Sequence, residues 1–239
     1  MNDVIMIDPT RSALDTATSP LPVLEISLPG TPHGVVLLFC DMGTLDRDAA
    51  TRMNHLAEDG YDTLAVEVGD GVLEVLPVLL RRAAERGWSA EQVAVVGIGT
   101  GGRAALTVAA HAELAAAISF SAPLHGSTPH KSTPHGSPPH SSPLPDRPAR
   151  TPWLGLFGAE DTAAPADRVR TLAATMSSSD VFTKVVRYPG VGPDFHARLD
   201  DGLNYAASYD GWQRTVEWLN ARVAPRLSPL AMAWRSRTS

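Results

Sequence analysis

The sequence has a single cysteine, Cys40, which excludes a disulfide within the chain and fits a reducing compartment. It has no apolar run near the ~20 residues a membrane-spanning helix needs. Its start lacks a basic stretch followed by an apolar one, so no signal peptide is read there. It also lacks an excess of positive charge. Lys and Arg number 20 against 26 Asp and Glu, a formal charge of −6, whereas a general nucleic-acid binder leans on clustered cations. What remains is an ordinary composition, 44% apolar and 19% charged over 239 residues, enough for one large α/β domain with a well-buried core. These absences predict a cytoplasmic protein, monomer or homodimer, acting on a small molecule without nucleic acid, membrane or cofactor.

Read in order, residues 1–21 are rich in Ser, Thr, Pro and Asp and are expected to form a flexible leader. Residues 23–28 alternate apolar and polar and read as an edge strand. The continuous apolar run 34–40 reads as a central parallel strand buried on both faces. Strands are also expected at 61–68, 93–98, 115–120, 153–157 and 182–188. Helices are expected at 46–59, 72–86, 100–113, 165–176 and 207–223. This alternation predicts βαβ units and a mainly parallel sheet covered on both faces, in one domain spanning 22–224. A basic, apolar tail follows at 225–239.

One stretch breaks the pattern. From His125 a five-residue repeat places His125, His130, His135 and His140 among Ser, Thr, Gly and Pro. It cannot build a core and its prolines forbid a helix, so 125–150 reads as a disordered insertion. Imidazoles at regular spacing invite metal, but a flexible loop lacks the fixed geometry a metal site needs, and none is expected here.

The chain is organised around Val93-Ala94-Val95-Val96-Gly97-Ile98-Gly99-Thr100-Gly101-Gly102, a buried strand, a glycine turn and the start of a helix. Two active-site frameworks share that form. Gly97, Gly99 and Gly102 meet the dinucleotide-binding spacing, but the next strand ends without an acid for a ribose. Gly97, Gly99 and Gly101 meet the spacing of a nucleophile elbow, with glycine where the nucleophile belongs.

Three blocks in order resemble the dienelactone hydrolase family of α/β-hydrolases. Gly97-Ile98-Gly99-Thr100-Gly101-Gly102 is similar to that family's G-x-C-x-G-G. The segment 153–161 resembles the strand and turn that present its catalytic aspartate, and 188–196 resembles its Y-x-G-A-x-H-G-F block. The resemblance implies an α/β-hydrolase fold. It puts Gly99 at the nucleophile position, Pro193 at the histidine position and Asp161 at the acid position. On that alignment the nucleophilic triad is degenerate, because neither glycine nor proline can do the chemistry required.

What the resemblance leaves is a pocket with other candidates. Cys40 and Asp41 end a central strand, and His196 lies three residues beyond the lost histidine. With Asp161 and Asp194 they are candidates for acid–base chemistry, or, for Cys40 and His196, for a rewired hydrolase. The backbone N–H groups of Thr100 and Met42 are expected to act as oxyanion donors. The readings left open are non-hydrolytic catalysis of cyclase, isomerase or lyase type on a carbonyl-bearing metabolite, a binding or regulatory pseudoenzyme, the rewired hydrolase, and nucleotide binding through the glycines.

Overall fold

The computed structural model describes residues 6–69, 71–124, 145–197 and 202–225. The strands are β1 (Thr10–Leu14), β2 (Leu21–Ile26), β3 (Gly34–Cys40), β4 (Tyr61–Glu67), β5 (Val93–Ile98), β6 (Ala116–Phe120), β7 (Trp153–Gly158) and β8 (Thr183–Tyr188). The helices are α1 (Leu45–Glu58), α2 (Val72–Glu85), α3 (Thr100–His111), α4 (Ala166–Met176) and α5 (Gly202–Arg222). They form an α/β-hydrolase fold. The sheet order is β1-β2-β4-β3-β5-β6-β7-β8, antiparallel through β2 and parallel from β4 onward.

Strands β3 and β5 are buried along their whole length, as expected of apolar runs covered on both faces. One layer of core packs Leu79, Leu106 and Leu172 of α2, α3 and α4 against the sheet. The other packs Met53 and Leu56 of α1 with Trp218 and Leu219 of α5. Helices α1 and α5 therefore share a face. The order also sets the site. From β3 the chain goes to β4 on one side and later returns to β5 on the other, so β3 and β5 flank the switch point of the sheet. Open α/β sheets bind their ligands beyond the strand ends at such a crevice.

The N-terminal region departs from expectation. Residues 10–14, expected within a flexible leader, form β1 at the sheet edge, and β2 lies between β1 and β4 instead of at an edge. β1 is short, polar and partly exposed, so it carries none of the apolar periodicity that reveals a strand. The hairpin is tied down by charge. Arg82 contacts both oxygens of buried Glu25 at 3.0–3.2 Å, and Arg86 donates to Asp62 on β4 at 2.7 Å. The repeat at 125–144, with its four histidines, and the tail at 226–239 lie outside the described residues. Ala149 and Arg150, expected in the insertion, are held against the helices instead: Ala149 is buried and its N–H donates to the Met176 carbonyl of α4 at 3.3 Å, and the Arg150 N–H donates to the Ala109 carbonyl of α3 at 2.8 Å.

The glycines around the central turn serve close packing. A Cβ on Gly97 would stand 2.0 Å from the Gly101 carbonyl oxygen, and one on Gly101 would stand 2.1 Å from that of Phe39. Only bare Cα atoms let α3 start this close to β3 and β5. Gly97→Ala meets fixed backbone and not a side chain that could yield. It should lose about 2 kcal/mol or more of unfolding free energy, seen as a lower urea midpoint at nearly unchanged slope.

Candidate active site

β5 ends at Ile98, and the chain turns into α3 through Gly99 at φ 57°, ψ −121°. The positive φ is one that side-chain-bearing residues rarely adopt. This is the strand–turn–helix form of an elbow, and Gly99 carries no side chain on it. The space above it is filled from elsewhere. Asp41 directly follows β3, and its Oδ1 accepts hydrogen bonds from the Thr100 N–H and the Thr100 Oγ1, each at 2.6 Å. A Cβ on Gly99 would lie 2.5 Å from Oδ2 and 2.7 Å from Oδ1 of that carboxylate. Asp41 thus occupies the room into which an elbow side chain projects. It also caps the positive end of α3, where a carboxylate is favoured.

Two sequence expectations change on this geometry. The Thr100 N–H, expected as an oxyanion donor, is already engaged by Asp41. The reading of Gly97, Gly99 and Gly102 as a nucleotide turn meets a carboxylate where a phosphate would rest, so like charges oppose it.

His196 follows β8 in a loop held by Ser121, whose hydroxyl donates to the Pro193 carbonyl at 2.5 Å. Ser121 sits at φ 46°, a strained value for a residue with a side chain. Burial pushes the His196 imidazole down to about 4, with Arg52 acting in the same direction and Asp194 and Asp41 opposing. The ring is neutral at physiological pH. Its buried Nδ1 makes no hydrogen bond to a described residue.

His196 also lines a cavity of about 530 Å³ whose floor includes Ile98 and Phe120, beside the turn. Helix α1 contributes Asp48, Thr51, Arg52 and His55 to one wall. Helix α5 contributes Tyr205, Ser208, Tyr209 and Trp212 to the other. Both sets follow the i, i+3, i+4, i+7 spacing of a single helix face. The spacing alone does not mark a cavity in the sequence, because a helix face of this kind ordinarily looks outward to solvent.

The remaining expected residues do not meet at this cavity. Cys40 is 2% exposed, its Sγ lies 3.9 Å from the Leu38 carbonyl oxygen, and burial pushes its thiol up to about 12. It is a core residue with negligible thiolate, which corrects its candidacy as a nucleophile. Asp161 is buried beyond β7, where its Oδ1 accepts from the Ala163 N–H at 2.8 Å, and it does not line the cavity. Met42 is exposed, and so is Asp194. Among the described residues, no group of His, Cys, Asp or Glu could hold a metal ion, and no helix is long and apolar enough to cross a membrane.

A family model described as "Dienelactone hydrolase family" matches residues 32–223. A Salmonella typhimurium protein named "Putative carboxymethylenebutenolidase" is 32% identical over 157 residues, which cover 65% of this chain and 56% of that protein. The chain thus spans little more than half the length of that relative. Among solved structures, a "Putative Dienelactone Hydrolase" from Klebsiella pneumoniae matches with a TM-score of 0.72 at 23% identity, covering 89% of this chain and 98% of the other. An esterase from Thermogutta terrifontis matches with a TM-score of 0.69 at 16% identity, covering 93% and 98%.

The burial of His196 has a consequence for stability. Its pKa is about 4 in the fold against an ordinary 6.5, so between these values the unfolded chain binds the extra proton. Stability should therefore drop as pH falls from about 6.5 toward 4. His196→Gln removes that contribution, so its melting temperature should fall less than that of the parent over the same interval. Equal pH slopes for the two proteins would mean that the ring is solvated.

Proposed function

The chain belongs to the dienelactone hydrolase family, and we propose that it works on a small carbonyl-bearing molecule by acid–base chemistry without the covalent step of a nucleophilic triad. The observation that carries this is the Asp41 carboxylate standing over side-chain-less Gly99. By the resemblance, Gly99 and Pro193 hold the nucleophile and histidine positions, and neither residue can attack a carbonyl or move a proton. Buried Cys40 is no replacement, since its thiol stays protonated to about 12.

What the site has instead is a carboxylate that follows β3 and a neutral imidazole in the loop after β8, near enough for the Asp41 charge to act on the His196 ring, although His196 lines the cavity and Asp41 does not. Asp41 is held through Oδ1 by two donors of Thr100, which leaves Oδ2 to take a proton. His196 is neutral above about 4 and offers a second proton carrier at the cavity floor. Two such groups suffice for enolisation, ring closure or elimination next to a carbonyl, in which protons move and no acyl-enzyme forms. Arg52 and the hydroxyls of Tyr205 and Tyr209 supply the polar contacts that orient a bound molecule in the cavity. A second reading, a binding protein without turnover, is favoured by one fact: the carboxylate that fills the turn also satisfies its donors.

Solvent exchange separates these readings. A panel of keto acids and unsaturated lactones, incubated with the protein in D2O and followed by proton NMR, should show enzyme-dependent exchange next to a carbonyl. Asp41→Asn should lower that rate by roughly 10²–10⁴-fold while leaving the fold intact. Binding without exchange for every compound supports the pseudoenzyme, and ester cleavage abolished by Cys40→Ala would establish a rewired hydrolase.

A further inference from the structure

Among the described residues, Ser121 alone combines a side chain with a positive φ, 46°. That conformation is costly for a residue with a Cβ and persists where the surroundings over-determine it. Three contacts do so here. The Phe120 carbonyl, which enters the peptide bond with Ser121, accepts from the Gly99 N–H at 2.9 Å. The Ser121 N–H donates to the Leu156 carbonyl of β7, also at 2.9 Å. The hydroxyl donates to the Pro193 carbonyl at 2.5 Å. One residue thus joins the turn after β5, strand β7 and the loop that carries His196.

That loop has few other ties. Its start is pinned to the turn after β7, by the Ala159 N–H on the Tyr188 carbonyl at 2.8 Å and the Glu160 N–H on the Val191 carbonyl at 3.0 Å. Further on, the buried Phe195 ring packs with Tyr188 and Phe120, at 5.1 and 6.3 Å between centroids. Among the described residues, the hydrogen bond that reaches 192–194 from outside the loop is the one from Ser121. The Pro193 carbonyl also acts on the imidazole, favouring its charged form against the burial that keeps it neutral. A carbonyl has two lone pairs, so one oxygen can face both the hydroxyl and the ring. Glycine would adopt this φ without strain, so the backbone bears a cost that the hydroxyl alone can repay.

We propose that Ser121 is a positioning residue for His196: its strained backbone aims the hydroxyl at the Pro193 carbonyl, and that contact sets the imidazole at the cavity floor. The inference rests on the reading above in giving His196 a proton to carry, but the placement of the ring is measurable without turnover.

Proton NMR of the full chain tests this through the C2 proton of His196, identified by its absence from His196→Gln. In the parent it should titrate near 4. Ser121→Ala loses the hydroxyl and keeps the strain, whereas Ser121→Gly loses both, so the glycine variant should melt no lower than the alanine one. In both, Pro193 is released and the ring meets water. Its midpoint should then rise by about one pH unit or more toward 6.5, because burial is the largest influence on it. Arg52, Asp41 and Asp194, whose charges act on the ring, are unchanged in both variants, as are Asp48, His55, Tyr205 and Tyr209 of the cavity walls. Solvent exchange by Ser121→Gly should fall about tenfold, as misplacement of a proton carrier predicts. A His196 midpoint unmoved in folded Ser121→Gly would overturn the proposal, and so would a parent midpoint near 6.5. A parent that exchanges no compound overturns the acid–base reading instead, so the two claims fail separately.

Discussion

The hydrogen bonds from Thr100 to the Asp41 carboxylate are the interaction on which the rest of the site depends. They join the end of β3 to the start of α3 across the switch point of the sheet, where two strands diverge and no backbone ladder continues. A helix N-terminus leaves its first N–H groups without partners, and an anion placed there is favoured both by hydrogen bonding and by the helix dipole. In an elbow that carries a nucleophile, this place is kept for charge that develops during the reaction. Here a carboxylate of the protein already sits in it, as close as 2.5 Å to where a Gly99 side chain would begin. The absence of a side chain at Gly99 and the presence of the carboxylate are therefore one arrangement. A residue with a Cβ at 99 and Asp41 in its observed position cannot coexist.

Much of the fold was legible in the sequence because it rests on local signals. The unbroken apolar runs at 34–40 and 93–98 became the two central strands, and the glycines after Ile98 became a turn that admits α3 at backbone contact. β1 was not legible, because a short solvated edge strand is defined by its partner β2 and by a charge network through Glu25, not by its own pattern. The site was legible in part. Asp41, Gly99 and Thr100 were each expected at the pocket, in separate roles. That the carboxylate takes the N–H expected to serve an oxyanion is a matter of a few ångströms between residues 59 positions apart, which no spacing reveals. Cys40, at the end of an apolar strand, could be read as a rim residue or as a small core one, and its burial is that of the core.

The cavity escaped the sequence reading for a different reason. Each of its walls is a helix face, and a polar face on a surface helix ordinarily looks outward to solvent. On α1 the residues at 53 and 56 point into the core while 51, 52 and 55 border the cavity; on α5, 218 and 219 pack inward while 205, 209 and 212 border it from the other side. Two polar faces turned toward each other look the same in sequence as two turned toward water. Only the layer order, with α1 and α5 on one side of the sheet, distinguishes them.

That cavity bears on how the missing side chain at Gly99 is to be understood. A pocket with no occupant to select for it is expected to close, since apolar surface gains from packing and half-buried charge loses from isolation. This one combines exposed aromatic residues, Tyr205 at 55% and Tyr209 at 60% exposure, with a half-buried guanidinium and a histidine held neutral by burial. Tyr205 and Tyr209 stack on each other yet stay more than half exposed, Arg52 lacks a described partner, and His196 makes the protein less stable in mild acid. Features of this kind, clustered at one end of the sheet, support the proposal that the cavity receives a bound molecule. The same reasoning favours chemistry or recognition that uses Asp41 where it stands over a vestigial elbow that merely tolerates it.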